Sequence, residues 1–402
     1  MGLTSNAAVL AGAGALGAGN GQGELAAHVA ETMAGLTRSF DRAYFLDCWR
    51  AHRFEDELWL KMGELGLHGV GVPEAQGGMG GGLTEMVLIM DLLSQAGLPS
   101  FLYALTCFSR TPIVRHGTPQ QIERYLRPTL SGQQKICFAI TEPDAGTNTF
   151  RIATRAERRH GGWRINGQKV FISAADHADL MMVIARTRPY TPGENRKDGI
   201  SVFVIDAKHP GVELKPLNIE LYSPEKQFQV FLSDVDVDDG ALIGPEGQGL
   251  ETLFDALNPE RLLISAICVG LGDYALGKTI DYVNRRAPFG KPIGSYQGVQ
   301  HGLARAKAHI DAARLMAYHA AHVFDGGGRA GAAANTAKLL ASEAGVEAVD
   351  ACIQYHGGYG FDADYDVITL WPMVRLCRTA PLNNEMVLNY IGEHVLQLPK
   401  SY

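Results

Sequence analysis

The six cysteines of this 402-residue chain are scattered, with no CxxC pair and no metal-ligand spacing. That argues against a zinc site and against a disulfide framework. Buried, reduced thiols in a cytoplasmic protein are the simple expectation. Lys and Arg form no run anywhere, and the net charge is −7. A nucleic-acid-binding surface is therefore not expected. No apolar stretch reads as long enough for a membrane span, so no membrane association is expected. Residues 1–24 are rich in Ala and Gly and nearly free of charge. They lack the basic region of a secretory signal, and Asn6 stands where a myristoylation signal has Ser or Thr. The segment reads as a flexible tail. Gly12, Gly14 and Gly17 in it spell GxGxxG, but neither a buried strand before them nor a βαβ unit around them is present to make a dinucleotide fold.

What is present is ordinary globular composition, 46% hydrophobic and 20% charged, in a chain long enough for two or three domains. Residues 25–133 carry helical periodicity, with helices expected over 85–96 and 101–116. Thr118-Pro119 looks like the cap of another. The pattern changes near Lys135. Between 134 and 241 short alternating segments (181–185, 201–205, 212–217, 227–232) predict a β domain, a barrel or sandwich. Asn166-Gly167 is expected to be the turn of a hairpin joining two of its strands. Over 242–402 the chain is helical again. The stretch 260–284 is apolar on more than one face, as in a helix buried inside a bundle. Helices over 298–324, 331–356 and 385–396 complete that bundle. The fold class is α+β and mostly α.

Four motifs stand in this order. Thr141-Glu142-Pro143-Asp144-Ala145-Gly146-Thr147 follows a strand that brings Phe138 and Ile140. Asn166-Gly167-Gln168-Lys169-Val170-Phe171-Ile172-Ser173 puts Phe171 and Ser173 at alternate positions, able to face one ligand. Arg286-Ala287-Pro288-Phe289-Gly290 is followed by Gln297, and Gln354-Tyr355-His356-Gly357-Gly358 closes the series. Each taken alone also reads as a turn, a core aromatic or a helix-end loop. Together, from about residue 25 to the end, they resemble the acyl-CoA dehydrogenase family (TEPGAGS, NGxKxxIT/S, RxxFGxxI…Q and QxxGGxGY).

The resemblance implies FAD as cofactor. Phe138, Ile140, Thr141, Thr147, Phe171 and Ser173 would lie along the flavin, with Ser173 toward N5 and Thr147 facing both cofactor and CoA. Arg286, Phe289, Gln297, Gln354, Gly357 and Gly358 would serve the FAD of a neighbouring subunit, which implies a homotetramer or homodimer. Arg suits a pyrophosphate because its planar fork gives paired, charged hydrogen bonds. The implied reaction is α,β-dehydrogenation of an acyl-CoA, with electrons passed to an electron-transfer flavoprotein.

The sequence departs from the family at one decisive place. Many members carry the catalytic Glu near the C-terminus, and an ungapped match puts Pro381 on it. Pro is no base, and it lacks the N–H that helps hold a thioester oxygen. Either a neighbouring N–H, such as that of Leu382 after a one-residue gap, or a ribityl hydroxyl of the flavin would have to replace it. Relatives resembling isovaleryl-CoA dehydrogenase have their Glu elsewhere, in a stretch that here reads Asn258-Pro259-Glu260-Arg261-Leu262. The base is accordingly expected at Glu260, with Arg261 near the substrate. A Glu beside Pro at a helix start is also a common N-terminal placement. The displaced base leaves two other functions open: a carrier-protein dehydrogenase or flavin monooxygenase of secondary metabolism, and an inactive acyl-CoA-binding homologue.

Overall fold

The computed structural model describes residues 22–190, 195 and 197–400; the GxGxxG segment lies outside them. The first helix, α1 (Gln22–Ser39), starts inside the stretch expected to be tail. It is followed by α2 (Arg42–Arg50), α3 (Asp56–Glu64), α4 (Leu83–Gln95) and α5 (Phe101–His116). Thr118 caps the next turn through a reciprocal pair with Gln121, and Pro119 opens it. This suits Pro at a first helical position, where its missing N–H is not needed.

Eight strands then form one connected sheet. They are β1 (Ile136–Ala139), β2 (Arg155–Arg159), β3 (Gly162–Ser173), β4 (Leu180–Arg186), β5 (Ile200–Asp206), β6 (Val212–Pro216), β7 (Gln227–Asp238) and β8 (Leu242–Ile243). The order is β6-β7-β3-β2-β4-β5-β8, with β1 parallel to β4. β4 is buried along its whole length, so it reads as an apolar run rather than an alternation. Met181, Val183 and Ala185 enter one core, and Leu180, Met182 and Ile184 the other, which Leu250 and Leu253 of the next helix share.

The expected Asn166-Gly167 hairpin does not exist: both residues lie inside the continuous strand β3. Gly is needed there for another reason. A Cβ on Gly167 would come within 2.4 Å of the Thr154 hydroxyl. The turn instead falls at His160-Gly161, between paired Arg159 and Gly162, with Gly161 at φ +76°.

The helical bundle consists of α6 (Gly249–Arg285), α7 (Gln297–Asp325) and α8 (Gly331–His356), followed by the short α9 (Trp371–Leu376) and α10 (Asn384–Tyr390). The sequence reading of membrane spans needs correction at α6, which is long and apolar enough to cross a membrane. Its most apolar window is 78% buried inside the protein, as befits a core helix.

Candidate active site

Two places gather the candidate residues. The first lies where the loop after β1, strand β3, helix α6 and the 378–384 loop meet. Glu142, quoted in the first motif but given no role there, is what shapes it. Its carboxylate is 6% exposed and accepts the N–H groups of Ala153 (2.5 Å) and Thr154 (2.9 Å). It also pairs at 2.9 Å with Lys169, whose ammonium is fully buried and donates as well to the carbonyls of Ile140 (2.9 Å) and Ile184 (2.7 Å). Desolvation raises the Glu142 carboxyl, but Lys169 and the N–H donors outweigh it and hold the group below its ordinary value. On Lys169 burial wins, lowering it to about 8 against the pull of Glu142. The donors on Glu142 decide the matter for an ionised carboxylate, and that anion keeps Lys169 charged at neutral pH.

This pair fixes the flavin-side candidates. Ile140 is held through its carbonyl, and Thr141 through its carbonyl to the Val170 N–H at 2.9 Å. Phe138 on β1 packs edge-on to Phe108. A register shift between Lys169 and Ile172 puts Phe171 at φ +59° and leaves it 57% exposed, while Val170 and Ile172 on either side are buried. Simple alternation therefore does not orient Phe171; a bulge does. Ser173 is half-buried, and its hydroxyl meets the Gln227 side-chain amide at 2.8 and 3.0 Å. Gln227 was not foreseen. The pairing of Ser173 with Gln227 across β3 and β7, a contact between distant positions, is what brings it there. Thr147 accepts a hydrogen bond from Asn383 at 3.1 Å, which ties this loop to the 378–384 loop.

Glu260 is not at a helix start. It lies about three turns inside α6, with Pro259 also within the helix. The helix-dipole account of this Glu is thereby removed, since that effect fades within the first turn. Pro259 withdraws one N–H from the helix immediately before the carboxylate. Glu260 is partly buried, and its side chain makes no hydrogen bond among the described residues. Desolvation pushes its pKa up to about 7, with the Arg261 guanidinium pulling the other way. Arg261 donates to Asn258 at 3.2 Å, and its Nε is buried without a partner.

The second place is a groove of about 1070 Å³ lined by Arg286, Phe289, Gln354, Gly357 and Gly358, together with Tyr282, His356 and Tyr359 among others. None of the flavin-side candidates of the first place lines it, and neither does Gln297, the first residue of α7. The features fit an extended anionic cofactor. Arg286 makes no ion pair among the described residues, and Phe289 is 80% exposed. Gly357 has φ +62°, and a Cβ on it or on Gly358 would point into open space. A free guanidinium beside bare backbone and an unpacked ring suits the diphosphate and adenosine of FAD.

Comparison with known proteins shows the family. The acyl-CoA dehydrogenase N-terminal domain matches residues 25–133, the middle domain 137–223 and the C-terminal domain 247–396. Acyl-CoA dehydrogenase FadE12 of Mycobacterium tuberculosis is 40% identical over 375 residues, covering 92% of this chain and 96% of that one. Butyryl-CoA dehydrogenase of Megasphaera elsdenii superposes with a TM-score of 0.86 at 26% identity, over 91% of this chain and 96% of its own. The FAD complex of PigA superposes with a TM-score of 0.83 at 26% identity, over 91% and 97%. With three family domains in order over nearly the whole described chain and a relative 40% identical, the chain belongs to the acyl-CoA dehydrogenase family, a family of FAD-dependent oxidoreductases.

Proposed function

We propose that the chain removes the α-proton of an acyl-CoA thioester with Glu260 and so catalyses α,β-dehydrogenation. The observation that carries this is Glu260 itself: a carboxylate in the interior of α6, free of hydrogen-bond partners and raised to about 7. A base with a pKa near the working pH combines availability with driving force. Bound FAD supplies the hydride acceptor for the β-carbon. Phe171 and Ser173 flank the flavin edge, with Gln227 orienting the Ser173 hydroxyl. Arg261 places positive charge beside the base and the thioester. Pro381, which stands on the 378–384 loop, has no N–H to offer the thioester oxygen.

The test is anaerobic addition of acyl-CoAs of different length and branching to the flavin-loaded protein, with the visible flavin band followed. Bleaching by a thioester supports the reading, and the best substrate names the acyl class. If no acyl-CoA bleaches the band, the reading fails and carrier-protein thioesters are next. Reoxidation of the reduced protein by an electron-transfer flavoprotein, and slowly by oxygen, is expected; fast reaction with oxygen and product hydroxylation would favour a monooxygenase.

The groove around Arg286 is assigned to the FAD of a neighbouring copy, which makes the working form a homotetramer or homodimer in the cytoplasm. Arg286→Gln removes charge-assisted hydrogen bonds worth about 1.5–3 kcal/mol, and so should weaken FAD retention by roughly 10–150-fold. The ratio of flavin to protein absorbance after dialysis, read beside the native mass, checks this. A flavin-saturated monomer would contradict the assignment.

A further inference from the structure

Lys338 of α8 is a buried ammonium that the reaction above does not use. It is 1% exposed, and no carboxylate pairs with it among the described residues. Holding such a group in the interior is costly unless its donors are engaged. Its Nζ donates to the Asn384 side-chain oxygen at 2.7 Å, and the Ser342 hydroxyl donates to the same oxygen at 3.1 Å. The Asn384 N–H in turn reaches the Arg378 carbonyl at 3.0 Å, closing residues 378–384 into one compact loop.

That loop is tied at two further points. Asn383 donates to Thr147 at 3.1 Å while also accepting the Met386 N–H as the cap of α10. Cys377, immediately before the loop, is buried in the same core as Cys268, about two turns along α6 from Glu260. The Leu382 N–H takes part in none of the hydrogen bonds among the described residues. It is a backbone donor left open next to a proline that has none.

We propose that Lys338 is a positioning residue: through Asn384 it sets where the 378–384 loop, with Pro381 and the Leu382 N–H, stands beside the stretch of α6 that carries Glu260 and Arg261. The proposal rests on the dehydrogenase reading for its consequence, though not for its geometry. The groups that face the ammonium are Cys268 and Arg261 of α6, Cys377 before the loop and Glu385 of α10. Burial lowers Lys338 to about 8; the two thiols and Glu385 oppose that shift, and Arg261 adds to it. Raising the pH through about 8 therefore discharges the anchor and loosens the loop.

The test compares flavin-loaded wild type with Lys338→Met and Asn384→Asp. The first removes the anchor. The second gives it a carboxylate, which favours the charged ammonium. In Lys338→Met, trypsin should cut the Arg378–Thr379 bond faster, identified by fragment mass, while flavin content is kept. The rate of flavin bleaching at saturating acyl-CoA should fall, by up to about 100-fold for a misplacement of the order of 1 Å, with a smaller change in KM. In wild type that rate should decline above about pH 8, and in Asn384→Asp the decline should move to higher pH. Unchanged trypsin sensitivity in Lys338→Met, or an unmoved alkaline limb in Asn384→Asp, would overturn the proposal. If Lys338→Met does not fold, Asn384→Asp decides alone. If no acyl-CoA bleaches the wild type, the dehydrogenase reading has failed, and the trypsin comparison still tests the anchor.

Discussion

Glu260→Gln is expected to slow anaerobic flavin bleaching by about 10²–10⁴-fold, the usual contribution of a positioned general base. Acyl-CoA binding, read as the perturbation of the flavin spectrum, should survive. The wild-type rate should rise as the pH climbs through about 7, because only the carboxylate accepts the proton, and reach a plateau before the decline set by Lys338 above about pH 8. In the variant that acid limb should vanish. Stability should move the other way. The carboxyl is raised from 4.5 to about 7 by folding, so the stability linked to its protonated form is full below about 4.5 and is lost as the pH rises through about 7. At pH 8 the wild type carries a poorly solvated charge that Gln does not, and the linkage bounds the difference at roughly 3 kcal/mol. A variant that melts higher at pH 8 and scarcely bleaches would identify Glu260 as a functional group held at the expense of stability. A variant with full rate would return the base to an unassigned residue.

Lys169→Met should produce the largest loss of stability. It leaves Glu142 ionised and buried without its cation, and breaking such a pair from one side typically costs about 3–5 kcal/mol. The melting temperature should fall on the order of 10 °C, and flavin should be lost with it, because Lys169 also holds the carbonyl of Ile140, a proposed flavin contact. Adding Glu142→Gln should recover part of the loss. If the double variant is as unstable as the sum of the two singles, the pair is not coupled and the account is wrong. In wild type the depressed Glu142 carboxyl contributes stability that is full above its unfolded value and is lost as the pH falls through its lower folded value. The double variant should have a flatter acid limb of unfolding.

Both residues show the difference between a motif and its reason. Glu142 and Lys169 stand in the two motifs that suggested a flavin site, yet their side chains face each other and the sheet. Neighbours along the chain do not reveal a pair 27 residues apart, because the register of β3 against the loop after β1 creates it. Asn166-Gly167 is a similar case. The dipeptide carries a strong turn signal, but the close approach of Thr154 is what requires glycine. Local propensity lost to a tertiary contact there.

The sequence by itself determined the family, the helix–sheet–helix order, the cofactor and the candidate residues on both sides of it. Those depend on periodicity and on motifs, which are local along the chain. The proposal that Glu260 is the base was legible too, since it starts from Pro381 and Glu260 as matters of residue identity. Tertiary structure alone decided that Glu260 lies deep within α6, that Phe171 is turned outward by a bulge and that Gln227 meets Ser173. It alone decided, as well, that Lys338 reaches Asn384 across the bundle. These are contacts between distant positions, and their energies come from burial and hydrogen bonding that no single segment contains.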